Sequence, residues 1–95
     1  GVPKKQEDIH LAILDPSFKL HAIKIYDFLI KNNFSVYWNY KYNLKKSLSL
    51  ANEKKVNYLI IVGENEKANN NFSIKNLLNG EQVIVSIDNI LDHLK

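Results

Sequence analysis

The segment from Tyr37 to Lys46 holds the side chains of this sequence that are best suited to bind a ligand. Aromatic rings, amides and ammonium groups alternate there: Tyr37, Trp38, Asn39, Tyr40, Lys41, Tyr42, Asn43, Lys45 and Lys46. Rings stack on unpaired bases, amides bond to base edges, and ammonium groups neutralise phosphates. This combination predicts a surface that binds single-stranded RNA.

Each kind of residue in this segment also has a purely structural explanation. Trp38 has the same parity as Phe34 and Val36, so a strand places all three on one face, and we expect Trp38 in the core. Lys45 and Lys46 fall on a predicted helix, where lysines are most often a solvated face. Composition alone therefore leaves both an RNA-binding surface and a plain surface open.

Patterns typical of catalysis or metal binding are missing from the sequence. The three histidines, His10, His21 and His93, lie far apart and show neither HxxxH nor HExxH spacing. Glu64 and Glu66 form an acidic pair at a strand end, but acid–base catalysis needs a pocket and a substrate, of which the sequence gives no sign. We predict no catalytic residue, no metal ligand and no cofactor in this chain.

Length and composition indicate one globular domain. The chain has 95 residues, 45% of them hydrophobic, and a net charge of +3. Its 13 cationic residues are all lysines, so no guanidinium group is available for bidentate contacts with bases or phosphates. Without cysteine, a disulfide scaffold and a thiolate metal site are excluded. The polar N-terminus resembles no signal peptide and no long apolar run predicts a membrane span, so we expect a cytoplasmic location, with an organelle as the alternative.

The pattern of apolar residues and turn residues predicts an α/β fold with the order β-α-β-α-β-β-β-α. Helical crossovers make the first three strands parallel, and an Asn79-Gly80 hairpin adds two antiparallel strands to a mixed five-stranded sheet flanked by three helices. Residues 1–8 are predicted to be a linker or arm, and residues 9–95 the domain. The predicted strands are Ile9–Leu14, Phe34–Tyr40, Tyr58–Val62, Phe72–Leu77 and Gln82–Ile87; the predicted helices run from Asp15–Ser17 to Lys31, from Asn43 to Lys54, and onward from Ser86 or Asp88.

Three segments of the chain resemble the C-terminal anticodon-binding domain of the histidyl-tRNA synthetases, which are class II aminoacyl-tRNA synthetases. They are LKKSLSLAN at Leu44–Asn52, YLIIVGENE at Tyr58–Glu66 and IKNLLNGEQ at Ile74–Gln82. The threonyl, prolyl and glycyl enzymes share the fold, and the resemblance covers roughly residues 9 to 94. It implies the anticodon-binding-domain fold and a role in holding the anticodon stem-loop of tRNA(His).

The resemblance also implies which residues bind RNA and where catalysis takes place. The implied RNA-binding residues follow the first three strands: Asp15, Ser17, Phe18, Asn39, Tyr40, Lys41, Tyr42, Asn43, Lys45, Lys46, Glu64 and Asn65. ATP, Mg²⁺ and the histidylation reaction belong to a catalytic domain of the parent enzyme, a histidine–tRNA ligase expected to be a homodimer.

Two loops depart from the family pattern. Tyr40-Lys41-Tyr42-Asn43 stands where members usually have Arg or Gly-Arg, and Asp15-Pro16-Ser17 replaces the more usual Pro-x-Gly. These departures leave an alternative open, a synthetase-like domain reused for regulation or protein interaction without specific RNA binding. Topology alone also allows a small flavodoxin-like ligand binder or enzyme.

Overall fold

The computed structural model describes residues 8–94. The strands are β1 (Ile9–Ile13), β2 (Val36–Asn39), β3 (Tyr58–Val62), β4 (Phe72–Asn76) and β5 (Gln82–Val85). The α-helices are α1 (Lys19–Lys31), α2 (Leu44–Glu53) and α3 (Glu64–Asn69), and 3-10 helices occupy Pro16–Phe18 and Ile87–His93. Most of the arm predicted at residues 1–8 lies outside the described residues, so that boundary stays a prediction.

The five strands form one mixed sheet with the order β2-β1-β3-β4-β5. β1 pairs in parallel with β2 and with β3, whereas β4 is antiparallel to both β3 and β5. The predicted mixed five-stranded sheet is therefore confirmed. Because β1, β2 and β3 are parallel, the three loops that leave their carboxyl ends all lie at one edge of the sheet.

Helices cover both faces of the sheet. On one face, α1 and the C-terminal 3-10 helix pack on Ile9, Leu11 and Ile13 of β1 to form the larger core cluster. On the other face, α2 packs on Ala12 of β1 and on Leu59 of β3 in a smaller cluster. This arrangement follows from the right-handed crossovers, which place α1 and α2 on opposite faces because β1 lies between β2 and β3.

Asparagines delimit the first two helices as predicted. Asn32 ends α1, and the left-handed conformation of Asn33, with φ of 68°, turns the chain away from the helix axis. Asn43 is the N-cap of α2, where its Oδ1 accepts from the Lys46 backbone N–H at 2.8 Å. The Asn43 cap fixes where the loop after β2 turns into α2.

The structure differs from the prediction after β3. Residues 64–69 form α3, although a polar loop was expected from Gly63 to Asn71. The Glu66 carboxylate stabilises this short helix because it accepts from the Gly63 N–H at 2.8 Å and from the Ser73 hydroxyl at 2.9 Å. Asn70 ends the helix in the left-handed conformation, with φ of 51°.

The C-terminal segment also differs, since it forms a 3-10 helix and not an α-helix. Asn89 N–H donates to Ser86 O at 3.1 Å and Leu94 N–H donates to Leu91 O at 3.3 Å, which are i→i+3 bonds. Leu94 then leaves the helix in an extended conformation and is buried. Together with Ile90 it reaches the core without an α-helical turn.

Candidate nucleic-acid interface

The loops that hold the predicted RNA-binding residues follow three adjacent strands. Residues 40–43 follow β2, Asp15–Phe18 follow β1 in the middle, and Glu64 and Asn65 follow β3. The parallel pairing therefore brings these three loops, which are far apart in the sequence, to one edge of the sheet. This edge is where open α/β sheets usually bind ligands.

Four aromatic rings form a row from α1 across β2 into the following loop. The ring centroids of Tyr26 and Trp38 lie 5.5 Å apart, those of Trp38 and Tyr40 6.2 Å, and those of Tyr40 and Tyr42 6.5 Å. Tyr40 is 67% exposed, so its ring is available to a ligand. Trp38 was expected in the core and is half-buried, packed against the main cluster at its margin.

A lysine of α1 lies beside the exposed end of this row. The Lys19 ammonium nitrogen is 5.8 Å from the Tyr40 ring centroid and 5.9 Å from that of Tyr42. These distances allow cation–π attraction, which holds a positive charge next to the two rings. Sequence reasoning missed Lys19 and Tyr26, since no linear spacing links α1 to the β2–α2 loop.

A groove opens between α1 and β2 along the aromatic row. It measures about 420 Å³ and is lined by Ile23, Tyr26, Asp27, Trp38 and Tyr40. The volume lies within the range of roughly 300–1,000 Å³ that is typical of ligand sites. Its lining joins aromatic surface to one carboxylate.

Three of the predicted lysines line a second groove, on the outer side of α2. Lys41, Lys45 and Lys46 are all exposed and border a groove of about 610 Å³, together with Ser49, Leu50 and Glu53. Ammonium groups concentrated in this way attract phosphates. The structure therefore brings these lysines together as one basic surface at the start of α2.

Asn39 has a different role from the one predicted for it. Its side chain is only 1% exposed: Nδ2 donates to His10 Nε2 at 2.6 Å and Oδ1 accepts from the Lys41 backbone N–H at 2.6 Å. Both ends of the amide are thus engaged, and Asn39 offers no group to a base edge. It is a positioning residue that holds the turn after β2, a role the alternating pattern of the strand did not predict.

His10 Nε2 can accept the hydrogen bond from Asn39 only if its imidazole is neutral. Burial, and to a lesser extent the positive charge of Lys54, lower the pKa of His10 to about 4. The ring also stacks on Tyr37 at 4.9 Å between centroids. His10 is therefore uncharged at neutral pH and can accept from Asn39, although its own Nδ1 is buried without a partner among residues 8–94.

The residues predicted in the β1–α1 loop have partly structural roles. Asp15 Oδ2 accepts from the Ser17 hydroxyl at 2.6 Å and from the Ser17 N–H at 2.8 Å. These hydrogen bonds, the hydroxyl first, lower the pKa of Asp15. Asp15 and Ser17 are exposed, whereas Phe18 is half-buried against the main core and presents only part of its ring.

Glu64 and Asn65 are exposed in the first turn of α3. Gly63, directly before this turn, packs closely against two side chains, because a Cβ there would lie 2.9 Å from Glu66 Oε1 and 3.0 Å from Leu14 Cδ1. Glu64 follows Gly63 directly, at the carboxyl end of β3. Its carboxylate is an acceptor for amino or N–H groups.

Two further features concern the described residues only. Within residues 8–94, no three histidine, aspartate or glutamate side chains are grouped in a way that would hold a metal ion. None of the helices in the same range has the length and apolar character needed to cross a membrane.

Comparison with known proteins defines the class of this domain. The family model described as "Anticodon binding domain" matches residues 4–95. The chain therefore belongs to the anticodon-binding domain family.

Its sequence relatives include histidine–tRNA ligases. The enzyme of Sulfurisphaera tokodaii is 34% identical over 95 residues, which are 99% of this chain and 22% of that protein. The enzyme of Listeria innocua is 34% identical over 91 residues, which are 95% of this chain and 21% of that protein. The chain thus spans about a fifth of the length of these relatives.

Solved structures support the fold. The chain superposes on the histidyl-tRNA synthetase of Nostoc sp. PCC 7120 with a TM-score of 0.83 and 22% identity, covering 94% of this chain and 22% of that one. The RNA-binding domain of threonyl-tRNA synthetase from Cryptosporidium parvum gives a TM-score of 0.84 at 15% identity, over 94% of this chain and 23% of that one. At these identities the likeness concerns the fold.

Proposed function

We propose that this chain is the anticodon-recognition domain of a histidine–tRNA ligase and that it binds the anticodon loop of tRNA(His). The observation that supports this most strongly is the placement of the aromatic row and the basic surface at one sheet edge. Family membership and the ligase relatives supply the class of ligand.

Binding follows from the chemistry of that edge. Unpaired bases of the loop stack on the exposed ring of Tyr40 and on the accessible part of the half-buried Tyr42 ring, while their phosphates lie along Lys41, Lys45 and Lys46. Glu64, on the other side of β1, accepts from a base amino or imino group. Because the chain lacks arginine, these contacts rely on ammonium groups, rings and carboxylates.

The chemical step of the parent enzyme lies outside this chain. We propose that ATP, Mg²⁺ and histidine bind to a catalytic domain in the part of the relatives that this chain does not match, which is nearly four fifths of their length. The present domain adds affinity and selectivity for the tRNA without taking part in the reaction. We further propose that the parent is a homodimer located in the cytoplasm.

A binding titration with anticodon stem-loops tests the proposal. We expect the tRNA(His) stem-loop to bind more tightly than a stem-loop with the same stem and a scrambled loop, because rings and carboxylates contact unpaired bases. Fluorescence anisotropy of labelled stem-loops at moderate, fixed salt measures both affinities. Equal affinity for both loops would contradict sequence-specific recognition.

An exposed apolar stripe on α1 supports a second candidate function. Leu20 is 79% exposed, and Ile23 and Ile30 are 42% and 43% exposed on the same helix. Such a stripe suits a synthetase-like domain reused for protein interaction or regulation. Absence of binding to any stem-loop, together with tight association with another protein through α1, would favour this second function.

A further inference from the structure

We infer that the groove between α1 and β2, which extends to Tyr40 in the loop after β2, holds a single unpaired guanine. The inference rests on the proposed function, since it concerns one base of the same RNA. It assigns roles to Tyr26, Asp27 and Trp38, none of which belongs to the loops considered so far. The groove is defined by the side chains that line it, three rings, a carboxylate and Ile23.

The walls of the groove are suited to a flat aromatic ligand. Tyr26 meets Trp38 edge to face at an interplanar angle of 81°, and Tyr40 is tilted by 48° relative to Trp38. The Trp38 N–H is buried without an acceptor among the described residues, so the indole offers carbon atoms to the groove. A base entering here gains stacking on Trp38 and Tyr40 and no hydrogen bond from the indole.

The carboxylate selects the kind of base. Asp27 is exposed at the groove, and an ionised carboxylate only accepts hydrogen bonds. Guanine presents two donors side by side on its Watson–Crick edge, N1–H and the N2 amino group, which match the two carboxylate oxygens. On adenine and cytosine the amino group lies beside a ring nitrogen that is an acceptor, and uracil has one N–H between two carbonyls. A carboxylate therefore favours guanine over the other three bases.

Charge at the open end of the groove favours RNA over a protein side chain as the occupant. The Lys19 ammonium lies within 6 Å of the rings of both Tyr40 and Tyr42, at 5.8 and 5.9 Å. A base in the groove thus leaves a flanking phosphate next to the Lys19 ammonium, a contact that an apolar peptide would not use.

The single tryptophan of the chain reports directly on this groove. The test uses the 95-residue chain and four fluorescein-labelled heptaribonucleotides, UUUXUUU, in which X is guanosine, inosine, adenosine or an abasic site. We expect the guanosine heptamer to quench Trp38 fluorescence and to bind about fivefold or more tightly than the inosine and adenosine heptamers. The abasic heptamer should bind weakly and leave the fluorescence unchanged.

Two variants with matched controls separate the carboxylate from the rings. Asp27→Asn should remove the preference for guanosine over inosine, which lacks the N2 amino group; Asp92→Asn, at another exposed aspartate, should leave that preference unchanged. Tyr40→Ala should weaken the guanosine heptamer by about fivefold to 150-fold. Leu78→Ala, which trims an 80% exposed apolar side chain at the hairpin, should not.

The outcomes distinguish this inference from the proposed function. Equal affinities for the four heptamers, equal quenching by the abasic heptamer, or a guanosine preference that persists in Asp27→Asn would each overturn the groove assignment. If the anticodon stem-loop still binds in that case, the proposed function stands and the groove is left for a protein partner. If neither the heptamers nor the stem-loop bind, both proposals fail.

Discussion

The buried Asn39 amide should be essential for both stability and RNA binding, although it cannot touch RNA. It links His10 of β1 to the Lys41 backbone, with both hydrogen bonds at 2.6 Å. Replacing Asn39 by alanine removes both bonds at once. The turn that presents the rings of Tyr40 and Tyr42 then loses its anchor to the sheet.

The expected loss of stability follows from burial. His10 is fully buried, so its Nε2 is left without a donor, which costs about 1–3 kcal/mol. Lys41 is exposed, and water can replace the bond to its N–H at little cost. We therefore expect Asn39→Ala to lower the free energy of unfolding by about 2 kcal/mol, or the melting temperature by about 8–16 °C for a domain of this size.

Urea denaturation followed by circular dichroism measures this loss, and a double-mutant cycle assigns it to His10. In the background of His10→Leu no buried acceptor remains, so Asn39→Ala should cost less by about 1–2 kcal/mol than in the wild type. Asn57→Ala, which removes an exposed amide, is the matched control and should be nearly neutral. Strictly additive effects of the two substitutions would refute the proposed link.

The same variant tests the link between this hydrogen bond and RNA binding. Under conditions where Asn39→Ala remains folded, we expect weaker binding of the anticodon stem-loop, because the rings after β2 are no longer held in place. Unchanged affinity in a folded but destabilised variant would separate the buried network from the binding surface.

Three further predictions concern charge, pH and close packing. Replacing Lys45 and Lys46 by alanine should lower the slope of log affinity against log salt by about one to two units, whereas Lys31→Ala, at the far end of α1, should not; an unchanged slope in titrations of the stem-loop rejects contact with phosphates. Because the pKa of His10 in the folded chain is about 4, below its unfolded value of 6.5, the unfolded chain binds the extra proton between these pH values. The contribution of His10 to stability should therefore be fully present above pH 6.5, and the free energy of unfolding should fall by up to about 1.4 kcal/mol per pH unit towards pH 4. Urea titrations of His10→Leu should no longer show this fall, and the same pH slope in that variant would contradict its assignment to His10. Gly63→Ala should lower the free energy of unfolding by about 1–3 kcal/mol, since its Cβ would approach neighbouring side chains to 2.9 and 3.0 Å; a neutral effect would mean that they move aside easily.

The sequence predicted those features that local pattern determines. The apolar run from Tyr58 to Val62 is β3, Asn43 caps α2, and Gly80, with φ of 79°, turns the hairpin between β4 and β5. In each case a few adjacent residues decide the conformation, through burial, a side-chain cap or a left-handed turn. The placement of the three strand-end loops at one edge followed from the parallel order of the strands.

The features that the sequence did not predict depend on contacts between distant segments. Asn39 is buried because His10 of the neighbouring strand offers it an acceptor, and no pattern within β2 indicates this. Lys19 and Tyr26 meet the aromatic residues of β2 and the loop after it only once α1 packs beside β2. The short helix after Gly63 depends on Glu66 reaching Ser73 on β4, seven residues further along the chain. Side-chain partners across elements decided all of these.

A titration of the isotopically labelled 95-residue chain with the tRNA(His) anticodon stem-loop, followed by amide NMR, tests the central claim most directly. The account predicts that the largest shift changes fall on the loops after β1, β2 and β3 and on the first turns of α1 and α2. Changes confined to the β4–β5 hairpin and the C-terminal 3-10 helix, or no changes at all, would contradict it.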